Sequence, residues 1–319
     1  MKIKLGDIFE IGSGGTPSKL HPEYYNGIIP WVKTGDLKNE YLYEVENFIT
    51  EEGLRNSSAK MYEEDTVLIA MYGATIGAVS ILKMKACTNQ ACAAFKKNKQ
   101  VIPEYLYYFL KGQKEKFVKD SVGGAQPNIS SGYLKRVEME LPLLEKQREI
   151  VNILNRINGI LCKRNQEILV LDDLVRARFV ELFGDPMVNS FGWDTTRVEN
   201  LVASCEAGWS GNGTQREKED GEIAVLKVSA VTKGYFIPGE CKVLDDQDTI
   251  KKYVSPQAGD LLFSRANTRE MVGATAVITQ DYPEYILPDK LWKIRFLDKA
   301  NVWYMKYVLS SEGSIPKFV

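Results

Sequence analysis

Few residues in this chain could carry covalent chemistry. The single histidine, His21, precedes Pro22 in a polar loop, a setting for a surface or base contact rather than catalysis. Cys87, Cys92, Cys162, Cys205 and Cys241 are odd in number and form no C-x-x-C pair, which predicts free thiols in a reducing cytoplasm and no structural zinc. The loop Gly12-Ser13-Gly14-Gly15-Thr16-Pro17-Ser18-Lys19 has the composition of a phosphate loop but not its spacing. Pro17 and Ser18 stand where Gly and Lys are required, and Pro17 also occupies the third glycine of G-x-G-x-x-G. Two readings of it remain: a surface turn, or amide groups that cradle a backbone phosphate beside Lys19. No Asn/Asp-Pro-Pro-aromatic run is found, since Asp185-Pro186-Met187 does not qualify, and no carboxylates have nuclease spacing. No nucleophile–base pair can be argued either, so no catalytic residue and no metal ligand is expected.

The loops carry polar and aromatic side chains of another kind. Lys, Arg, Asn and Gln read base edges and hold phosphates. On that ground Lys19, Tyr25, Lys33, Thr34, Tyr72, Gln126 and Asn128 are candidate DNA contacts in the first half of the chain. Arg216, Lys227, Arg265, Asn267 and Arg269 are the candidates in the second. The clusters Lys96-Lys97-Asn98-Lys99 and Lys111, Lys114, Lys116, Lys119 could track phosphates, the second being equally a solvated helix face.

The elements that would position these loops come twice. Gly27–Thr34 has a counterpart in Gly221–Val228, Glu64–Ile69 in Gly259–Ser264, and Ile76–Ile81 in Val272–Val277. Asn89-Gln90 matches Asp289-Lys290, and Pro103–Leu110 matches Val302–Leu309. The offset grows from 194 residues at Gly27 and Gly221 to 200 at Asn89 and Asp289, as small loop insertions would produce. Each copy reads as α+β: short strands with Gly-rich turns, then an amphipathic helix over Glu104–Phe117 and one from Val302.

Between the copies, 144–183 predicts one helix of 40 residues, about 60 Å at the α-helical rise. Steps of 4 and 3 join Ile150, Leu154, Ile157, Leu161, Arg164, Ile168, Leu171, Val175, Arg178 and Leu182. That is a heptad seam, apolar except at the two arginines, and it asks for a partner helix; a long core helix of one domain is the competing reading. Composition adds little about partners, because 41 Lys+Arg face 42 Asp+Glu and a nucleic-acid surface needs a basic patch, not a basic total. The charge-free run Thr66–Leu82 is too short and too interrupted for a membrane helix and reads as two buried strands and a turn. The N-terminus has no apolar stretch of signal-peptide type.

Three stretches carry a family resemblance across essentially the whole chain. LGDIFEIGSGGTPSK with YYNGIIPWVKTGDL is similar to the start of a target recognition domain of the DNA-specificity subunits of type I restriction-modification systems. GAQPNISSGYLKRVEMELPLLEKQREIVNIL resembles that domain's end running into a central conserved helix, and RFVELFGDPMVNSFGW resembles the link to a second domain. The resemblance implies two α+β target recognition domains of mixed sheet and helices, 1–140 and 185–319, joined by a coiled-coil-forming helix over 141–184. Each would read one half of a split DNA site, and the helix would set their spacing and dock methyltransferase subunits. S-adenosylmethionine and adenine N6 methylation would belong to those subunits, with motor-nuclease subunits as further partners and no cofactor in this chain. Family members close with a distal helix antiparallel to the central one. No counterpart is expected before Val319, which makes the second domain C-terminally shortened and leaves the seam for self-association. An interaction scaffold that does not bind DNA, or a silent partial specificity cassette, is the alternative.

Overall fold

The computed structural model describes residues 2–122, 128–186, 188–246, 250–266 and 271–310. Two compact units divide the chain, Met1–Asn165 and Gln166–Val319.

In the first unit, β1 (Lys2–Lys4) and α1 (Leu5–Ile8) lead into β2 (Ile11–Ser13), β3 (Tyr25–Val32), β4 (Tyr41–Leu42) and β5 (Phe48–Ile49). There follow α2 (Glu51–Arg55), β6 (Met61–Tyr62), β7 (Val67–Ala70), β8 (Val79–Leu82), β9 (Ala86–Thr88) and β10 (Cys92–Phe95). Then come α3 (Pro103–Gly112), α4 (Lys114–Lys119), α5 (Ser131–Arg136) and β11 (Glu138–Glu140). The strands from β7 to β10 are buried on both faces and apolar but for Ser80 and Thr88, because both faces are covered. One sheet runs β2-β10-β7-β8-β4 and a second β5-β3-β9-β6. The first buries Ile11, Val67, Ile69, Ile81 and Phe95 against Leu106 and Leu110 of α3. The helix expected over Glu104–Phe117 is divided, because α3 ends at Gly112, a poor helix former, and Gln113 turns the chain (φ −91°, ψ 2°) before α4.

The second unit repeats this plan. Its strands are β12 (Val202–Ala207), β13 (Gly213–Thr214), β14 (Ala224–Leu226), β15 (Cys241–Leu244), β16 (Leu261–Ser264), β17 (Thr275–Val277), β18 (Tyr285–Ile286) and β19 (Leu291–Phe296). The order β12-β19-β16-β17 reproduces β2-β10-β7-β8 with every pairing antiparallel. The parallel pair β3–β9 returns as β14–β18. The helix after β19 spans Val302–Ser310 and buries Met305 and Leu309 on Leu261 and Phe296.

Hydrogen bonds correct the alignment of the two copies by one residue at two places. Asp65 N–H bonds Leu82 O (2.8 Å), as Gly259 N–H bonds Ile278 O (2.9 Å), and both residues are left-handed (φ 65° and 86°). Asp65 therefore corresponds to Gly259, and Thr66 to Asp260. Likewise Met71 N–H bonds Ala91 O, and Arg265 N–H bonds Lys290 O, so Gln90 corresponds to Asp289.

Between the two copies in the chain runs the long helix, Leu144–Phe183, α6 in chain order; the helix of the second unit is α7. Its first turns belong to the first unit, where Gln147 and Val151 are buried and Tyr108 donates to Asn155 Oδ1 (2.6 Å) and accepts from Asn158 (3.0 Å). Its last turns belong to the second, where buried Phe179 stacks on Tyr304 and Tyr307 at 5.4 and 5.2 Å. The seam is otherwise open: Ile157, Leu161, Ile168, Leu171, Val175 and Leu182 are exposed, while Ile150 and Leu154 are half-buried. Ile153, Ile160 and Leu174 widen the exposed apolar stripe. Among the described residues, no helix is long and apolar enough to cross a membrane and no His/Cys/Asp/Glu group could hold a metal ion. Cys87, Cys92 and Cys241 are buried free thiols, and burial pushes the first two up to about 12.

Candidate nucleic-acid interface

In the first module the Gly-rich loop is folded back onto the strand ends. Gly15 N–H bonds Thr88 O at the end of β9 (2.9 Å), and Trp31 Nε1–H bonds Gly15 O (3.1 Å). Tyr25, a candidate contact, donates its hydroxyl to Pro17 O and meets Trp31 edge-on at 5.9 Å, so it braces this loop. A side chain on Gly14 would place Cβ 1.8 Å from Thr88 O. Lys19 stands exposed in the following turn.

Beside this loop lie the turn after β3 and the end of β7. Lys33 lies 4.9 Å over the Trp31 ring and donates to Asn47 Oδ1 (2.6 Å), a neutral acceptor, with no carboxylate paired to it among the described residues. Thr34 opens the 3-10 turn Thr34–Asp36, half-buried. Tyr72 and Asn128, far apart in sequence, form an isolated antiparallel bridge, and Ile129 N–H bonds Met71 O. Gln126 lies outside the described residues. Thr16 donates to Gln90 Oε1, which ties the loop to the start of β10.

The second module builds the same ledge from other side chains. Trp209 N–H bonds Leu287 O (2.8 Å), and Cβ on Gly208 would fall 1.8 Å from Leu287 O. Ser210 donates to Asp289 Oδ1, the counterpart of Thr16 on Gln90. Arg265 Nε–H bonds Asp289 O (3.0 Å), and its guanidinium lies 5.8 Å from the Trp292 ring. Arg216 forks onto Glu222, and Lys227 pairs with Glu240 (2.8 Å), so both cations are already countered. The Arg216 guanidinium, followed by the Glu219 backbone, holds the Glu222 carboxyl at about 2. Lys227, then Ser229, holds Glu240 below the usual carboxylate range. Asn267 and Arg269 lie outside the described residues. Of the basic clusters, Lys96 is paired with Glu10 and Lys97 with Asp65.

Sequence reasoning did not place Thr16, Gln90, Ser210 and Asp289 on the candidate ledges. The repeat did contain Asn89-Gln90 and Asp289-Lys290, but hydroxyls 74 and 79 residues away hold these side chains, and only the fold brings the partners together.

The scaffold is one α+β plan built twice, with polar ledges at corresponding strand ends, and comparison assigns its class. A model of the type I restriction modification DNA specificity domain matches residues 1–170, and the chain belongs to that family. It is 30% identical over 256 residues to the type I restriction enzyme MjaIX specificity subunit of Methanocaldococcus jannaschii, covering 73% of this chain and 58% of that one. Over 162 residues it is 28% identical to the EcoR124I/EcoR124II specificity subunit of Escherichia coli, covering 49% of this chain and 40% of that one. The chain thus spans about half the length of these relatives. A solved structure described as the "structural basis underlying complex assembly and conformational transition of the type I R-M system" aligns with all of this chain and 80% of its own. Its TM-score is 0.52 at 16% identity, a likeness of fold.

Proposed function

We propose that this chain is the sequence-specific DNA-binding specificity subunit of a type I restriction-modification complex. The observation that carries the proposal is that one loop-and-strand ledge occurs twice, with equivalent backbone bonds and different side chains. A scaffold repeated with its polar tips changed suits the reading of two different half-sites through base edges. The subunit catalyses nothing: it selects a bipartite site for methyltransferase subunits that carry S-adenosylmethionine, extrude an adenine and methylate N6. Motor-nuclease subunits complete the restriction form.

The helix α6 acts as spacer and docking strut. What supports this is a heptad seam with most of its apolar positions in solvent, a face that a helix of a methyltransferase subunit or a second α6 would cover.

The test is a methylome. The chain is expressed with a type I methyltransferase subunit from the same source in a host without adenine methylation, and N6-methyladenine is mapped. A split, asymmetric motif is the expected result and means both modules read DNA. A split palindrome means that the first module alone reads, in a pair joined through α6. No motif, with both proteins soluble, would favour a scaffold that does not bind DNA.

A further inference from the structure

Gln90 and Asp289 occupy one position of the repeated fold, each at the start of the strand that pairs with both sheet neighbours, and each fixed by a loop hydroxyl. Thr16 takes one lone pair of Gln90 Oε1; Gln90 is exposed, and its Nε2 donors have no partner among the described residues. Ser210 occupies Asp289 Oδ1, and Oδ2 is an acceptor without a partner among the described residues. The neighbouring position on the adjoining strand also differs. In the first module it is Met71, buried and apolar; in the second it is Arg265, exposed, its Nε on the Asp289 carbonyl and its two terminal nitrogens unpartnered among the described residues.

We infer that these equivalent positions are the specificity pair of each module: Gln90 reads an adenine in the first half-site, and Arg265 with Asp289 reads one G·C pair in the second. The inference rests on the DNA-reading function proposed above. Its chemistry is that of the major groove. Adenine offers the N7 acceptor and the N6 donor, and a side-chain amide meets both, because Gln90 Oε1 keeps a second lone pair. Guanine offers O6 and N7 to an arginine fork, and its cytosine offers N4–H to a carboxylate. A donor fork and a bare acceptor on adjacent strands match one base pair across both strands. The Trp292 ring, 5.8 Å from the guanidinium, and the bond from Nε to Asp289 O restrict the fork before DNA arrives. No charge faces Gln90 from Met71, so the first module has no fork with which to prefer guanine.

The experiment is selection from a random duplex library by the full chain, with Gln90→Glu and Asp289→Asn run beside the wild type and thermal unfolding confirming that each variant folds. The expected result is a two-part enriched sequence. Asp289→Asn changes the preferred base at one position of one half by about tenfold, toward adenine, and leaves the other half alone. Gln90→Glu changes one position in the opposite half by a similar factor, toward cytosine. If folded variants enrich the same sequence as the wild type, the assignment is overturned while DNA reading stands. If the folded wild type enriches no sequence at all, the reading beneath the assignment falls and the assignment falls with it.

Discussion

After the parallel strand of each module stands a lysine at the same place, Lys33 in the first and Lys227 in the second, and the two are used differently. Lys33 rests on Trp31 and donates to the neutral side chain of Asn47, whereas Lys227 is closed onto Glu240. The same divergence occurs at the turn before the central strand. In the first module Asp65, a quarter exposed, pairs with Lys83 and Lys97. In the second the carboxylate has moved one residue along, to Asp260, where it is fully buried and held by Lys293, Arg295 and the Gln257 N–H. One backbone plan therefore tolerates two charge arrangements. The second module buries the carboxylate at this turn inside its ion pairs, and the first keeps Lys33 over its ledge.

The largest effect expected from this difference is on stability. Asp260→Ala strands the buried Lys293 ammonium without its carboxylate and should cost the second unit about 3–5 kcal/mol, whereas Asp65→Ala should cost the first about 1 kcal/mol. Hydrogen exchange followed separately in each unit measures both, and equal losses would break the contrast. Gly14→Ala and Gly208→Ala should by contrast be alike, each costing at least about 1–3 kcal/mol, because Cβ meets a backbone carbonyl that cannot step aside. Unequal losses would mean that the two ledges are not equivalent.

Binding sharpens the comparison next. Lys33→Gln should weaken binding to duplex DNA and lower the slope of log affinity against log salt by about 1. Lys227→Gln should leave that slope almost unchanged, and Glu240→Gln, which frees Lys227, should raise it. Titration offers a finer test. The folded Glu222 carboxyl lies below its unfolded value, so what its bond to Arg216 contributes is full above the ordinary carboxylate range and is lost as pH falls toward about 2. Carbon-13 shifts of the side chain should show no titration between pH 4 and pH 8, on the order of the ordinary carboxylate range and above it. The smallest effect is on α6: Ile157→Gln in the first unit and Leu171→Gln in the second should each change the stability of the isolated chain by no more than about 0.5 kcal/mol, as both side chains already lie in solvent. A greater loss, growing with protein concentration, would be the sign of paired chains.

Much of this architecture could be read from residue patterns. The doubled plan, the paired buried strands within Thr66–Leu82 and a helix over 144–183 follow from apolar periodicity, which fold and sequence share. The register of the repeat did not follow at 64–69, because the sequence match was anchored on the shared letter of Asp65 and Asp260. The fold conserves the left-handed turn instead, which Asp65 and Gly259 make with different side chains. The interface was legible as a set of loops but not as a set of contacts. Tyr25, Arg216 and Lys227 have the right chemistry, yet the Pro17 carbonyl, Glu222 and Glu240 engage them, and nothing in the sequence marks those groups out from any other carbonyl or surface acid. Gln90 and Asp289 become visible only once the Thr16 and Ser210 hydroxyls are placed against them.

Gly14 and Gly208 each lie two residues before the hydroxyl that holds Gln90 or Asp289, and neither has room for even a methyl group. A mutational scan of either loop should therefore alternate between intolerance and permissiveness over a single step or two of the chain. New recognition would arise by exchange at Thr16 and Gln90, or at Ser210 and Asp289, without passing through an unfolded ancestor. The rigid glycine beside an exchangeable tip would make the proposed reader easy to re-aim and hard to loosen.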